Sequence, residues 1–248
     1  MNTAMILNCL IAPCALLLLA LPALFNPEAR KWMPLVVLVS LADSIATIVP
    51  LMTHALRIPG THWNWSGKAI DIAAISLVAI ALIATRRFTA AEMGYTVRQA
   101  PRTGRAFLTV VVPFLLITAF LTLMWFGETK PQSVETLWFE ATMPGLAEEP
   151  LWRGILLALF MKMFAARNKL LGAEFGYAAI AVSLVFGLVH GLQFDDKLAI
   201  HTSPIEGAWA TLCGLIFAWL RLRTKSLVLP ILTHNATNVI LESVPLMH

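Results

Sequence analysis

A chain of 248 residues that is 58% hydrophobic and only 13% charged is not composed like a soluble domain and falls in the membrane class. Its net charge of +4 comes from lysines and arginines lying between apolar runs, an arrangement of topology signals that argues against a nucleic-acid partner. Cys9, Cys14 and Cys213 fall inside apolar runs with neither zinc nor disulfide spacing, and read as small buried hydrophobes.

Eight apolar runs can be drawn as spans, given that a helix needs about 20 residues to cross a bilayer. They predict an all-α, polytopic transmembrane helical bundle. The first run, Met5 to Phe25, has no Lys or Arg before it, which argues for a retained span over a cleaved signal peptide. A short polar link, Asn26 to Lys31, leads to the second, Met33 to Met52. The loop Arg57 to Lys68 carries Trp63 and Trp65, rings suited to the membrane interface. The third span is Ala69 to Thr85. An arginine-rich link, Arg86 to Arg105, precedes the fourth, Ala106 to Phe126. A partly amphipathic piece, Val134 to Thr142, is expected to break at Pro144-Gly145 before the fifth span, Leu146 to Ala166. The sixth is Gly176 to Leu192, the seventh Pro204 to Leu220 and the eighth Leu227 to Val244. The natural division is an N-terminal helical half, 1–130, and a C-terminal core, 131–248.

Successive links alternate sides. Links one, three, five and seven carry thirteen cations: Arg30, Lys31, Arg86, Arg87, Arg98, Arg102, Arg105, Lys162, Arg167, Lys169, Arg221, Arg223 and Lys225. The other side carries four, Arg57, Lys68, Lys130 and Lys197. By the positive-inside rule this places the odd links in the cytoplasm and both termini outside, in an inner or cytoplasmic membrane.

Ionisable side chains in hydrocarbon cost roughly 2.5–3.5 kcal/mol each at a helix centre, so a late cluster of them demands a role. Glu149 and Arg153 are four apart and share a helix face, where they form a neutralising pair. Glu148 is turned about 100° away, with ~3.6 residues per turn, and is free to face a cavity. His190 follows Phe186 by four residues and lies beside Gly187 and Gly191, a small-residue face that admits a close helix neighbour. A neutral imidazole beside a buried carboxylate can share a water with it and help deprotonate it. His234 and Asn238 are one turn apart, as donors suited to an oxyanion would be. Each fragment alone also fits a plainer account: an ion pair, an interface histidine, polar contacts between helices. Asp43 and Asp71, in earlier spans, stay unassigned.

Taken in order, Glu148-Glu149 to Arg153, Phe186 to His190 and His234 to Asn238 resemble the Glu-Glu-x-x-x-Arg, Phe-x-x-x-His and His-x-x-x-Asn signature of the CAAX prenyl protease and bacteriocin-processing family of intramembrane endopeptidases. The likeness covers roughly Val134 to Val244, with Met93-Gly94-Tyr95 as a weaker upstream feature. The resemblance implies that Glu148 and His190 activate water, that His234 and Asn238 stabilise the oxyanion, and that Glu149 and Arg153 position the site. It implies a peptide or protein substrate in or at the bilayer. Catalysis without a cofactor is expected, since no His-Glu-x-x-His helix is present. Zinc held by Glu148, His190 and His234 is the alternative. Because the start of span five and the end of span six fall outside by the charge tally, a sorting tail or exported peptide reached from that side is the expected substrate. A proton- or ion-coupled transporter using the same buried charges, and a non-catalytic immunity or partner protein of the same fold, are the competing readings.

Overall fold

The computed structural model describes residues 3–52, 56–125, 133–165 and 168–243. The ends of the fourth, fifth and eighth expected spans, and Lys130 and Arg167, lie outside these residues. The described residues are mainly helical, with two short hairpins. Helix α1 (Thr3–Ala20) continues as a 3-10 turn, Leu21–Phe25, and α2 (Pro27–Arg30) leads into α3 (Met33–Met52). Next come α4 (Trp65–Ala84) and the composite helix α5 (Thr103–Ala106), a π segment and α6 (Val112–Trp125). A second composite follows: α7 (Val134–Glu149), a π segment Pro150–Leu156, and α8 (Leu157–Met163). The hairpin β1 (Lys169–Leu170) with β2 (Ala173–Glu174) precedes α9 (Tyr177–Gly191). A second hairpin, β3 (Leu192–Phe194) with β4 (Ile200–Thr202), joins α9 to α10 (Pro204–Thr224), and α11 (Val228–Ser243) closes the fold.

Among the described residues, five stretches are long and apolar enough to cross a membrane: Thr3–Phe25, Pro27–Val49, Trp65–Ala84, Thr103–Met124 and Pro204–Thr224. The helices carrying the charged signature are different. α9 is apolar but short, while α7 with its π segment and α11 bear the acidic, His and Asn residues. They are tolerated because neighbours enclose them. Leu156, Leu157, Leu159 and Phe160 are at most 1% exposed.

Two sequence boundaries are corrected. The expected break at Pro144-Gly145 does not occur, and α7 runs through it. Proline removes one helical hydrogen bond, and Asn235 of α11 restitches the backbone. Its Oδ1 accepts from the Gly145 N–H at 2.7 Å, and its Nδ2 donates to the Thr142 carbonyl at 3.2 Å. The helices touch here, so a Cβ on Gly145 would fall 2.8 Å from the Ile231 carbonyl oxygen. Lys68, read as a loop residue, lies instead in the first turn of α4. The helix starts early because the Asn64 side chain caps it, accepting from the Gly67 N–H at 2.9 Å.

The small-residue face of α9 packs on α10. A Cβ on Gly187 would meet Thr211 and the Gly207 carbonyl, and one on Gly191 would come within 2.8 Å of Gly207 Cα. The two halves of the chain interlock, because the Asn8 side chain donates to the Phe194 carbonyl at 3.0 Å and accepts its N–H at 2.7 Å.

The arginine-rich links gather at one end of the bundle. Ala100 N–H donates to Thr224 O (2.8 Å), Arg223 to Pro101 O (3.1 Å) and Lys162 to Glu92 (2.6 Å), while the Lys162 ammonium also lies 5.9 Å from the Trp32 ring. Arg221 is a special case, being 5% exposed and donating to the Glu92 carbonyl at 2.7 Å. Gly94, with φ of +79°, sits tightly against that arginine, and its carbonyl accepts the Leu227 N–H at 3.0 Å. The Met93-Gly94-Tyr95 stretch is thus a clasp between this link and the turn before α11.

Lys162 and the Thr89 N–H hold the Glu92 carboxyl down from its usual 4.5 to about 2. A carboxylate depressed in the fold contributes stability that is complete above 4.5 and is lost as pH falls toward about 2. The thermal midpoint of the detergent-solubilised protein should fall over that window. Glu92→Gln should lower the midpoint at neutral pH and remove part of the acid dependence; an identical acid profile in the variant would dismiss the Glu92–Lys162 pair as a stabilising element.

Candidate active site

Glu148, His190, His234 and Asn238 line one cavity of about 510 Å³. Its walls include Trp63, Phe139, Trp209 and Phe217. The cavity lies toward the end of the bundle opposite the basic links, below the β3–β4 hairpin, and Gln193 of β3 and Glu206 of α10 also line it. Glu149 and Arg153 do not reach it. They lie behind its wall, 0% and 1% exposed.

The wall is held by one carboxylate oxygen. Glu149 Oε1 accepts from Arg153 Nη1 at 3.0 Å and from His234 Nδ1 at 2.8 Å. A carboxylate acceptor fixes the His234 tautomer with its proton on Nδ1 and leaves Nε2 on the cavity side, 4.0 Å from Glu148 Oε2. Arg153 finds its remaining stabilisation on aromatic faces, with its guanidinium carbon 4.1 Å from the Phe186 centroid and 5.4 Å from that of Phe217. Phe217 in turn stacks on His234, with centroids 5.2 Å apart and planes inclined by 21°.

Phe186 therefore works twice. Its ring covers Arg153, and its carbonyl oxygen lies 2.6 Å from His190 Nδ1. A carbonyl only accepts, so His190 Nδ1 must donate, and Nε2 of the neutral ring carries the lone pair. The four-residue spacing between Phe186 and His190 reflects this helical geometry.

Sequence reasoning missed three partners. Lys68 Nζ lies 3.2 Å from Glu148 Oε1 and reaches it from α4, eighty positions away in the chain. Glu140 accepts from Asn238 Nδ2 at 2.8 Å, which orients the amide and leaves its second N–H to spare. Phe217 bridges Arg153 and His234. Of these, Glu140 had a signal in the sequence, as an acidic residue in the partly amphipathic piece leading to Glu148-Glu149. Lys68 had none, because only tertiary contact distinguishes it from an ordinary interfacial lysine. Among the described residues, no three His, Cys, Asp or Glu side chains group as metal ligands do. In the Glu148, His190 and His234 set, the Nδ1 atoms of both histidines are already engaged.

A family model described as type II CAAX prenyl endopeptidase Rce1-like matches residues 112–240, just over half of the chain. No curated protein and no solved structure matches the chain. The matched region contains the cavity residues contributed by α7, α9, α10 and α11 except Leu241, and leaves Trp63 and Lys68 outside it. The chain is an integral membrane protein that belongs to the type II CAAX prenyl endopeptidase Rce1-like family of intramembrane proteases.

Proposed function

We propose that this protein hydrolyses a peptide bond in a membrane-associated or C-terminal segment, with Glu148 as the base that deprotonates water and no metal in the reaction. The supporting observation is the meeting of Glu148, His190, His234 and Asn238 around one cavity from three separate helices. In this reading His190 Nε2 and Glu148 share the attacking water. Its oxygen bonds to the scissile carbonyl carbon, and the charge that develops on the carbonyl oxygen meets His234 Nε2–H and the free N–H of Asn238. Glu149 supports that role by stabilising a doubly protonated His234 through Nδ1. The proton taken by Glu148 passes to the leaving nitrogen as the carbon–nitrogen bond breaks.

On an internally quenched, prenylated CAAX-type peptide, Glu148→Gln should abolish cleavage, and loss of the Asn238 donor in Asn238→Ala should cost about 10²–10³ in kcat. Both variants should keep the wild-type thermal midpoint to within a few degrees. Full activity after exhaustive chelation, with no stoichiometric zinc, agrees with the metal-free reading; activity lost to chelator and restored by zinc would overturn it. A Glu148→Gln variant that still cleaves would overturn the base assignment.

The proposed orientation follows from the basic links meeting at one end and the cavity lying toward the other. With those links cytoplasmic, substrate enters from outside and both termini lie outside. A single cysteine placed at Asp195, in a background without Cys9, Cys14 and Cys213, should react with an impermeant reagent in intact cells or spheroplasts. Reaction only after the cytoplasmic face is opened would reverse the assignment.

A further inference from the structure

A second cavity of about 170 Å³ adjoins the first, sharing Lys68, Glu148, Val189 and His190 with it. It includes none of the aromatic residues Trp63, Phe139, Trp209 or Phe217 that wall the larger one. Its other face is formed by Asp43 and Thr47 of α3, Asp71 of α4 and Trp152. A third cavity, of about 440 Å³, shares Asp43, Thr47, Trp152 and Val189 with the second and extends to Asn8, Phe194 and Asp196 of the polar loop. The three form a series running from Glu148 to the loop between β3 and β4, through two aspartates in membrane helices.

We propose that this series is the water entrance of the enzyme, distinct from the substrate entrance. The inference rests on Glu148 and His190 acting as above. Hydrolysis consumes one water per bond: its oxygen joins the carbonyl carbon, one proton travels through Glu148 to the leaving nitrogen, and the carbon–nitrogen bond breaks. A peptide filling the aromatic-walled cavity excludes bulk water from that side, and the surrounding hydrocarbon holds none. Water must reach the Glu148–His190 pair from behind.

The second cavity is suited to this in size and chemistry. At ~30 Å³ per molecule, it has room for about six waters. Asp71 Oδ1 is buried without a protein hydrogen-bond partner, an acceptor that a water satisfies. Lys68 Nζ has three donors, one of them on Glu148, and the others are available to the same waters. A water passage gives Asp43 and Asp71, whose charges are costly in a bilayer, a reason to stand where they do.

The test narrows the passage without touching the reacting groups. Thr47→Phe should lower kcat on the prenylated CAAX-type peptide by about tenfold or more with KM within twofold, since substrate binding is untouched. Ile45→Phe, on the same helix but 61% exposed, should leave both constants alone. As an independent measurement, Thr47→Cys, in a chain lacking Cys9, Cys14 and Cys213 and carrying Glu148→Gln, should react with a charged water-soluble methanethiosulfonate at the same rate with the uncleaved peptide bound or absent. A folded Thr47→Phe enzyme with wild-type kcat, or a Thr47→Cys thiol that is unreactive or protected by peptide, overturns the water entrance. Those results leave the active-site reading intact if Glu148→Gln is inactive, whereas cleavage by Glu148→Gln removes the reading on which the entrance rests.

Discussion

The Glu149 carboxylate, fully buried and accepting from both Arg153 and His234 through one oxygen, is the constraint around which the rest is arranged. Removing one member of such a buried charged set typically costs about 3–5 kcal/mol, because it strands the others in a low-dielectric interior. The three groups therefore stand or fall together. They tie the π segment to α11, and that tie sets the direction of the His234 ring and hence the position of its Nε2 relative to Glu148. The aromatic faces of Phe186 and Phe217 supply what the protein hydrogen bonds to Arg153 do not.

This arrangement gives two adjacent glutamates different surroundings. The helix turns one toward the interior, where Arg153 pairs with it and the His234 imidazole donates to it, and the other toward the cavity, where Lys68 meets it at 3.2 Å. The π segment begins at Pro150, whose missing N–H already interrupts the α-helical ladder. Such irregular turns are frequent at functional sites.

Much of this was legible in the sequence, because membranes make polar residues conspicuous. A carboxylate or imidazole in an apolar run stands out by its cost, and four-residue spacing places the Glu149–Arg153 pair on one face without further information. Helical class and the gathering of basic links at one end follow from similarly local signals. The illegible parts depend on tertiary contact. Nothing around Pro144 announces that Asn235, on a helix ninety residues later, will mend the ladder, so a break was the reasonable expectation. Lys68 looked like an interfacial charge, and only the packing of α4 against α7 turns it toward Glu148. Phe217 was one aromatic among many in an apolar helix until Arg153 and His234 flanked it.

Glu149 orients His234 into the cavity, and the protonation of His234 reports on it directly. Nitrogen NMR of histidine-labelled protein in nanodiscs, with the His234 signal assigned by substitution, should show Nδ1 protonated and hydrogen-bonded, a signature lost in Glu149→Gln. A His234 ring whose Nδ1 is unprotonated in the wild-type protein, or whose spectrum is indifferent to Glu149→Gln, would contradict the account.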